Sequence, residues 1–217
     1  MSRRATAVRG RETPSTRDVI LDAAERRFAE RGFAGVSVRE IATDAGLKNQ
    51  ASLYHHFRHK RALYEAVLAR GIEPILSLVA ESGAPGNAGR GSEHFIDRMV
   101  VYLAEHPHLP RLIQRAGLED RRYLPSAVPR LLRPLFQQGI EALNESSGAS
   151  WPAAELPNLG MALYLIIFGY FANAALFESV TGKDPRSPAA VQRQRRFLRN
   201  AIGRLLDGAR PGPRITR

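Results

Sequence analysis

Residues 36–57 carry side chains suited to hydrogen bonding with a large polar partner. The segment reads VSVREIATDAGLKNQASLYHHF and ends in Tyr54, His55, His56 and Phe57. Short polar side chains can bond to the edges of nucleic-acid bases, while Tyr, His and Lys can bind phosphate oxygens. The chemistry predicted for this segment is recognition of DNA.

The spacing of the same residues predicts two short helices joined by a tight glycine turn. Ser37 and Glu40 form a capping box, and apolar residues at helical spacing follow them. Gly46 stands where a left-handed residue ends a helix. Asn49 is the predicted N-cap of a second helix over residues 50–56. This arrangement is a helix-turn-helix, whose second helix enters the major groove of DNA.

A further helix precedes this pair. Ser15 and Asp18 form a second capping signal after Pro14, and an apolar stripe runs through residues 16–31. Gly32 is the predicted end of that helix. The three helices form a unit that is small for independent stability, so we expect it to pack on the residues that follow.

The order of these residues resembles the TetR/AcrR family of transcriptional regulators. The resemblance covers about residues 16–65 and rests on FAERGF at 28–33, VSVREIA at 36–42, AGL at 45–47 and SLYHHFRHKRAL at 52–63. It implies an all-α homodimer with a DNA-binding head and a ligand-binding body. It also implies that four residues face DNA and that Lys60 binds a phosphate; the four are Ser52, Tyr54, His55 and His56.

The turn before the second helix departs from the family pattern. Between Gly46 and Leu53 this chain is one residue longer than the commonest pattern, and we expect the extra residue in the turn. Amide side chains can read adenine and Lys can meet guanine or a phosphate, so which of residues 48–51 reach a base stays open. Gln50 and Ser52 are the favoured base readers. The predicted DNA-binding set is Ser37, Arg39, Lys48, Asn49, Gln50, Ser52, Tyr54, His55, His56 and Lys60.

Composition and charge agree with a nucleic-acid partner without identifying it. The 217 residues have a net charge of +11, and a little over half of that excess lies in residues 1–61. We expect a basic arm over 1–14, the DNA-binding domain over 15–62, an effector-binding and dimerisation domain over 63–208, and a tail over 209–217. Arg3, Arg4, Arg9, Arg11 and Arg17 either remain solvated or follow phosphates and the minor groove.

The remaining sequence predicts further helices that form the body. Aromatic and sulfur side chains at helical spacing either form simple core or line an apolar cavity. Few charges lie on their apolar faces, which favours a lipophilic or aromatic effector. The candidate pocket residues are Phe95, Met99, Tyr102, Phe136, Trp151, Tyr164 and Phe168.

Residues 159–177 form a continuous apolar stretch that has two interpretations. Its length approaches the roughly 20 residues that span a bilayer. We favour a helix of a soluble protein, buried on one side by its own bundle and on the other by a second subunit. No membrane partner is therefore expected. Residues 157–180 and 188–206 are the predicted pairing segments, with Leu163, Ile167, Phe171, Asn173, Leu198, Ile202 and Leu205 in the interface.

Several function classes find no support in the residues. The chain has no cysteine, so disulfides and thiol chemistry are excluded, and no apolar signal segment opens it, so the cytoplasm is the expected compartment. No catalytic motif or phosphate-binding glycine loop is present, and His106 and His108 beside Glu105 make only a weak metal pattern. We expect no enzyme activity, cofactor or metal. The alternatives are a nonspecific basic nucleic-acid binder and a helical enzyme.

These expectations combine into one mechanism. A homodimer would place two recognition helices about 34 Å apart on a pseudo-palindromic operator. Gly71 and Pro74 are predicted to bend the long helix that follows Lys60. A small effector in the body would shift this connecting helix and release the DNA.

Overall fold

A computed structural model describes residues 14–82, 91–146 and 151–207, and within these ranges the fold contains α-helices, two short 3₁₀ turns and no strand. The predicted all-α class is confirmed. The helices are α1 (Thr16–Arg31), α2 (Val38–Asp44), α3 (Gln50–Tyr54), α4 (Lys60–Ser82), α5 (Gly91–Glu105), α6 (Leu109–Leu118), α7 (Ala127–Ser146), α8 (Leu156–Ala172), α9 (Ala174–Thr181) and α10 (Pro188–Asp207).

The N-terminal helices begin at the predicted caps. The Ser15 side chain accepts a hydrogen bond from the Asp18 N–H, and Ser37 and Glu40 form both halves of a capping box. After α2, Gly46 adopts φ 69° and the Leu47 N–H donates to the Ala42 carbonyl at 2.9 Å. A residue with a side chain is strained at this φ, so the glycine fixes the direction in which the chain leaves α2.

Helix α4 connects the head to the body. Near its N-terminus, Leu63, Tyr64 and Val67 are buried in the head, and near its C-terminus Ile75 and Val79 are buried in the body. Pro74 lies within α4, which continues to Ser82. One hydrophobic core therefore extends through both parts of the subunit, which gives the small head the support that its size requires.

Two helix predictions need correction. The recognition helix was expected over residues 50–56, but α3 ends at Tyr54 and His55 and His56 lie in the following turn. The apolar stretch was expected to be one helix, but α8 ends at Ala172 and α9 begins at Ala174. At that break the Asn173 amide donates to the Gly169 carbonyl at 2.8 Å, so its side chain ends α8 locally.

The apolar stretch is only partly covered within the single subunit. By length and composition alone, Ala153–Ala172 is long and apolar enough to cross a membrane. In the single subunit, 28% of the most apolar 18-residue stretch of this segment is buried. Core helices of soluble proteins pass the same test, so this is weak evidence for a span. The predicted basic arm, apart from Pro14, lies outside the described residues, as do residues 83–90 and the predicted tail.

Candidate nucleic-acid interface

Helix α3 is anchored on one side and exposed on the other. Leu53 and Phe57 are buried in the head, while Tyr54 keeps 45% of its surface exposed. A short helix held from beneath by two apolar side chains presents its remaining side chains in fixed positions. The exposed candidates on and around it are Lys48, Asn49, Gln50, Tyr54, His55 and His56.

Some of the predicted contact residues are engaged within the protein. The Asn49 Oδ1 atom accepts from the Ser52 N–H at 3.0 Å and from the Ser52 hydroxyl at 3.2 Å. Bidentate recognition of adenine needs this same oxygen as an acceptor, so the expected base reading by Asn49 conflicts with its role as the cap of α3. Ser37 is similarly bonded to Glu40, with its hydroxyl donating at 2.8 Å. Asn49 and Ser37 are therefore foremost structural caps.

The acidic side chains of helix α2 are neutralised by arginines of α1. Asp44 accepts two hydrogen bonds from Arg27, at 2.5 and 2.7 Å, which lower the pKa of Asp44. Glu40 accepts from Arg31 at 2.5 Å and from the Ser37 N–H, and these bonds lower the pKa of Glu40 to about 2. Both carboxylates stay ionised at neutral pH, and their negative charge is balanced beside them.

Other cations of the head have no such balance. Arg39, Lys48 and Arg58 are exposed, and none forms an ion pair with another residue of the described ranges. They lie in α2, in the turn before α3 and just after Phe57. Unbalanced positive charge around a recognition helix attracts DNA phosphates and positions the protein without reading sequence. Arg58 was missed by the sequence analysis, although its place directly after the recognition segment could have indicated it.

The Lys60 side chain packs on an aromatic ring. Its ammonium lies 4.5 Å from the centre of the Phe33 ring, and burial lowers the pKa of Lys60. The predicted phosphate contact of Lys60 stays a prediction. The start of α4 is capped by His59, whose Nδ1 accepts from the Ala62 N–H at 3.0 Å.

A buried carboxylate joins the head to the body. Asp120 follows α6 and is 2% exposed. It accepts from the Phe33 N–H at 3.0 Å and from the Tyr64 hydroxyl at 2.7 Å. Burial, together with this bond to Asp120, raises the pKa of Tyr64, so its hydroxyl remains a donor. Two directional bonds thus tie the turn after α1 and the start of α4 to the end of α6.

A second set of polar contacts supports the same junction. Arg115 of α6 donates to the Glu30 carbonyl at 3.1 Å. Arg70 of α4 pairs with Asp22 at 2.7 Å and with Glu25 at 2.8 Å. These bonds connect α1 with both α4 and α6, so the orientation of the head depends on the positions of those two helices.

Comparison with known proteins identifies the family. Residues 20–67 match the bacterial regulatory proteins of the tetR family. The chain is 46% identical over 54 residues to the HTH-type transcriptional repressor KstR2 of Mycolicibacterium smegmatis, a match covering 25% of this chain and 26% of that protein. It is 38% identical over 152 residues to the HTH-type transcriptional repressor NicS of Pseudomonas putida, covering 64% of this chain and 70% of that protein. The chain belongs to the TetR family.

Solved structures agree with this assignment at the level of the fold. A TetR-like transcriptional regulator from Rhodococcus sp. RHA1 superposes with a TM-score of 0.65 at 19% identity, covering 91% of this chain and 100% of that one. A fatty acid degradation regulator, FadR from Bacillus halodurans, has a TM-score of 0.62 at 18% identity, with 92% and 99% covered. These neighbours share the all-α architecture expected for the chain.

The body of this TetR-family protein contains an apolar cavity of about 130 Å³ between α4, α5, α7, α8 and α10. Five of the seven predicted pocket residues line it: Phe95, Met99, Phe136, Tyr164 and Phe168. The other two lie elsewhere. The Tyr102 hydroxyl donates to the Gly71 carbonyl at 3.0 Å, and the Trp151 indole donates to the Leu205 carbonyl at 2.9 Å. Neither Tyr102 nor Trp151 lines this cavity, which corrects the prediction for these two residues.

The predicted dimer residues of this TetR-family chain divide into two groups. Ile167, Phe171, Leu198 and Ile202 are at most 5% exposed within the single subunit, so a partner could not reach them. This corrects the prediction, because their helical face packs on the body. Leu163 and Leu205 are partly buried, with Leu163 at the cavity, and Asn173 is exposed. The exposed apolar side chains on these helices are Met161, Leu165, Leu176, Val180 and Phe197.

Proposed function

We propose that this TetR-family protein is a ligand-responsive transcriptional repressor of the cytoplasm. It binds a pseudo-palindromic operator as a homodimer, with one α3 helix of each subunit in successive major grooves, about 34 Å apart. A small lipophilic or aromatic effector binds in the body and releases the DNA. NicS and KstR2 carry the name of transcriptional repressors, which supports this class of function.

The main observation behind this proposal is that α3 is anchored by buried apolar side chains, presents exposed polar side chains, and has unbalanced positive charge around it. Gln50 is exposed at the first turn of α3 and forms no hydrogen bond with the described residues. The oxygen and the NH₂ group of its side-chain amide are therefore both free to bond to a base edge. Tyr54, His55 and His56 are suited to phosphates at the other end of α3. The Ser52 hydroxyl donates a hydrogen bond to Asn49, so in this arrangement its oxygen is left to accept a hydrogen bond from a base.

The homodimer is supported by the exposed apolar side chains of α8, α9 and α10. Leu165 is 56% exposed, Leu176 62% and Phe197 59% in the single subunit. Large exposed apolar side chains are candidates for burial by a partner. A second copy of the same chain would cover them and would set the separation between the two α3 helices.

Ligand response would operate through α4. This helix contributes Ile75, Val79 and Ser82 to the cavity wall, and its Tyr64 bonds to Asp120 at the head. A displacement of α4 at the cavity would therefore change the head orientation. Because each well-placed bidentate base contact contributes about 1–3 kcal/mol, a small misalignment of α3 is enough to release an operator.

The proposal is tested by selecting bound sequences from a random double-stranded DNA library at near-physiological salt. Enrichment of a palindromic consensus is the expected result. Gln50→Ala should relax preference at one position of each half-site, while Gln137→Ala, an exposed glutamine on α7, should leave the consensus unchanged. No enrichment, with binding that disappears as salt rises, would instead indicate a nonspecific charge-driven binder.

A further inference from the structure

The cavity of the body has walls of unusually uniform chemistry. Its lining comes from five helices and, among the residues that the structure describes, includes no Lys, Arg, His, Asp or Glu. Aromatic rings form one side, with centroids 5.6 Å apart for Phe136 and Tyr164 and 5.0 Å apart for Tyr164 and Phe168. A charged group placed here would lose its water without gaining a counter-ion, which is strongly unfavourable.

Two hydroxyl groups are the polar side-chain groups of this lining, and they differ in availability. The Ser82 hydroxyl donates to the Val79 carbonyl at 2.7 Å, which uses its proton. The Tyr164 hydroxyl forms no hydrogen bond with any residue in the described part of the chain. Burial raises the pKa of Tyr164, so this group is a protonated donor at neutral pH. A ligand therefore meets one available donor in an otherwise apolar wall.

The size of the cavity limits its occupant. An apolar cavity of about 150 Å³ lined by aliphatic and aromatic side chains stays dry and accepts a molecule the size of benzene. The present cavity, at about 130 Å³, is of that order. A single ring with a short substituent fits this space, whereas a long acyl chain would extend beyond it.

We infer that the effector is a neutral, single-ring aromatic molecule whose one hydrogen-bond acceptor, a carbonyl or ether oxygen, faces the Tyr164 hydroxyl. This inference rests on the proposed function, since it specifies the effector of that regulator. Ring faces stack against Phe136 and Phe168, and Tyr164 orients the polar end. The described lining offers no cation to pair with a carboxylate, which disfavours carboxylates and fatty acids in this space.

The test measures binding to the full-length protein without DNA, by isothermal titration calorimetry. The probes are acetophenone, ethylbenzene, benzoate and octanoate. Acetophenone should bind about 2- to 10-fold more tightly than ethylbenzene, which has the same carbon frame without the oxygen. Benzoate and octanoate should bind at least about 100-fold more weakly than acetophenone. Equal or tighter binding of either carboxylate, or no binding of acetophenone at millimolar concentration, would overturn the inference.

Two variants test the geometry. Tyr164→Phe should remove the preference for acetophenone over ethylbenzene and leave ethylbenzene binding unchanged. Gly139→Leu should abolish binding of both, because Gly139 lines the cavity and a Cβ added there meets no atom within 4 Å, so the new side chain fills open space. Gly117→Leu is the matched control, since that helical glycine also has open space but lies exposed on α6. Binding that survives Gly139→Leu would contradict the assigned cavity.

The two proposals fail in different ways. Acetophenone that binds without weakening operator binding would refute ligand response and leave the assignment of the cavity intact. A protein that selects no DNA consensus and still binds acetophenone would refute only the regulatory function. An operator released by octanoate and not by acetophenone would preserve the regulator and overturn the inferred ligand class.

Discussion

The junction around Asp120 and the cavity between α4 and α8 contact the same helix with opposite chemistry. At the junction, Asp120 holds the Phe33 N–H and the Tyr64 hydroxyl through directional hydrogen bonds. At the cavity, Ile75 and Val79 of the same α4 contribute apolar surface. Eleven residues, about 16 Å of helix, separate Tyr64 from Ile75.

The difference assigns separate tasks to the two ends of α4. Hydrogen bonds depend on angle as well as distance, so the junction allows few orientations of the head. Apolar contacts are non-directional, so the cavity end can adjust when a ligand enters. Under the proposed function, a ligand that displaces α4 at the cavity would move the hydrogen-bonded junction, and with it the head, as one unit.

The largest effect is expected from Asp120→Ala, which removes the acceptor at the polar end. The Phe33 N–H and the Tyr64 hydroxyl would be left buried without partners, which should lower the free energy of unfolding by about 2–5 kcal/mol in urea denaturation. Asp22→Ala, which removes an exposed partner of Arg70, should cost less than about 1 kcal/mol. Equal losses in the two variants would show that the buried junction is not special.

Gly71→Ala tests the close contact between α4 and α6, which lies between the two regions. A Cβ at residue 71 would overlap the Leu109 side chain, so we expect a loss of roughly 1–3 kcal/mol in the free energy of unfolding. Gly117→Ala, in open space on α6, should stabilise the protein by about 0.5–1 kcal/mol. The two variants should change the free energy of unfolding in opposite directions. Stabilisation by both Gly71→Ala and Gly117→Ala would disprove the tight contact at Gly71.

Tyr64→Phe and Tyr54→Phe make the same chemical change at a buried and an exposed position. Loss of the Tyr64 bond to Asp120 should lower the free energy of unfolding by about 0.5–1.5 kcal/mol. Tyr54→Phe should leave stability unchanged and weaken binding to all DNA sequences alike, through a lost phosphate contact. A Tyr54 effect confined to one base position would instead assign this residue to base reading.

The smallest effect is expected from low pH. Protonation affects the polar regions, because the described residues that line the cavity include no carboxylate. The folded pKa of Glu40, about 2, is below its ordinary 4.5. Its contribution is therefore fully present above pH 4.5 and is lost as the pH falls through about 2. Glu40→Gln should lower the melting temperature slightly at neutral pH, and the difference should vanish near pH 2. A constant difference across this range would exclude ionisation as its source.

Local signals in the sequence were sufficient for the head. The capping pairs Ser15–Asp18 and Ser37–Glu40, and Gly46 with its left-handed backbone, determine where α1 and α2 begin or end. These features act within a few residues, so they can be read from sequence order. The end of α3 was placed two residues too late because the segment YHHF has no stop signal comparable with glycine.

Side-chain direction in the body could not be derived in the same way. Residues 159–177 are apolar on every face, so periodicity does not distinguish the side that packs on the body from the side that stays exposed. Ile167 and Phe171 were assigned to the outer face and are buried, while Leu165 and Leu176 are exposed. The break at Asn173 separates α9 from α8, which the composition of the stretch does not indicate.

The sequence by itself determined the helical class, the caps and the DNA-recognition segment of this TetR-family protein, because each depends on residues that are neighbours along the chain. The tertiary structure decided that Asp120 joins Phe33 to Tyr64 and that five separate helices line one cavity whose described lining is uncharged. The bond between Phe33 and Asp120 alone joins residues 87 positions apart, and the cavity brings together helices that are still more distant in the sequence. Local propensity does not encode such contacts; they form only when the helices pack.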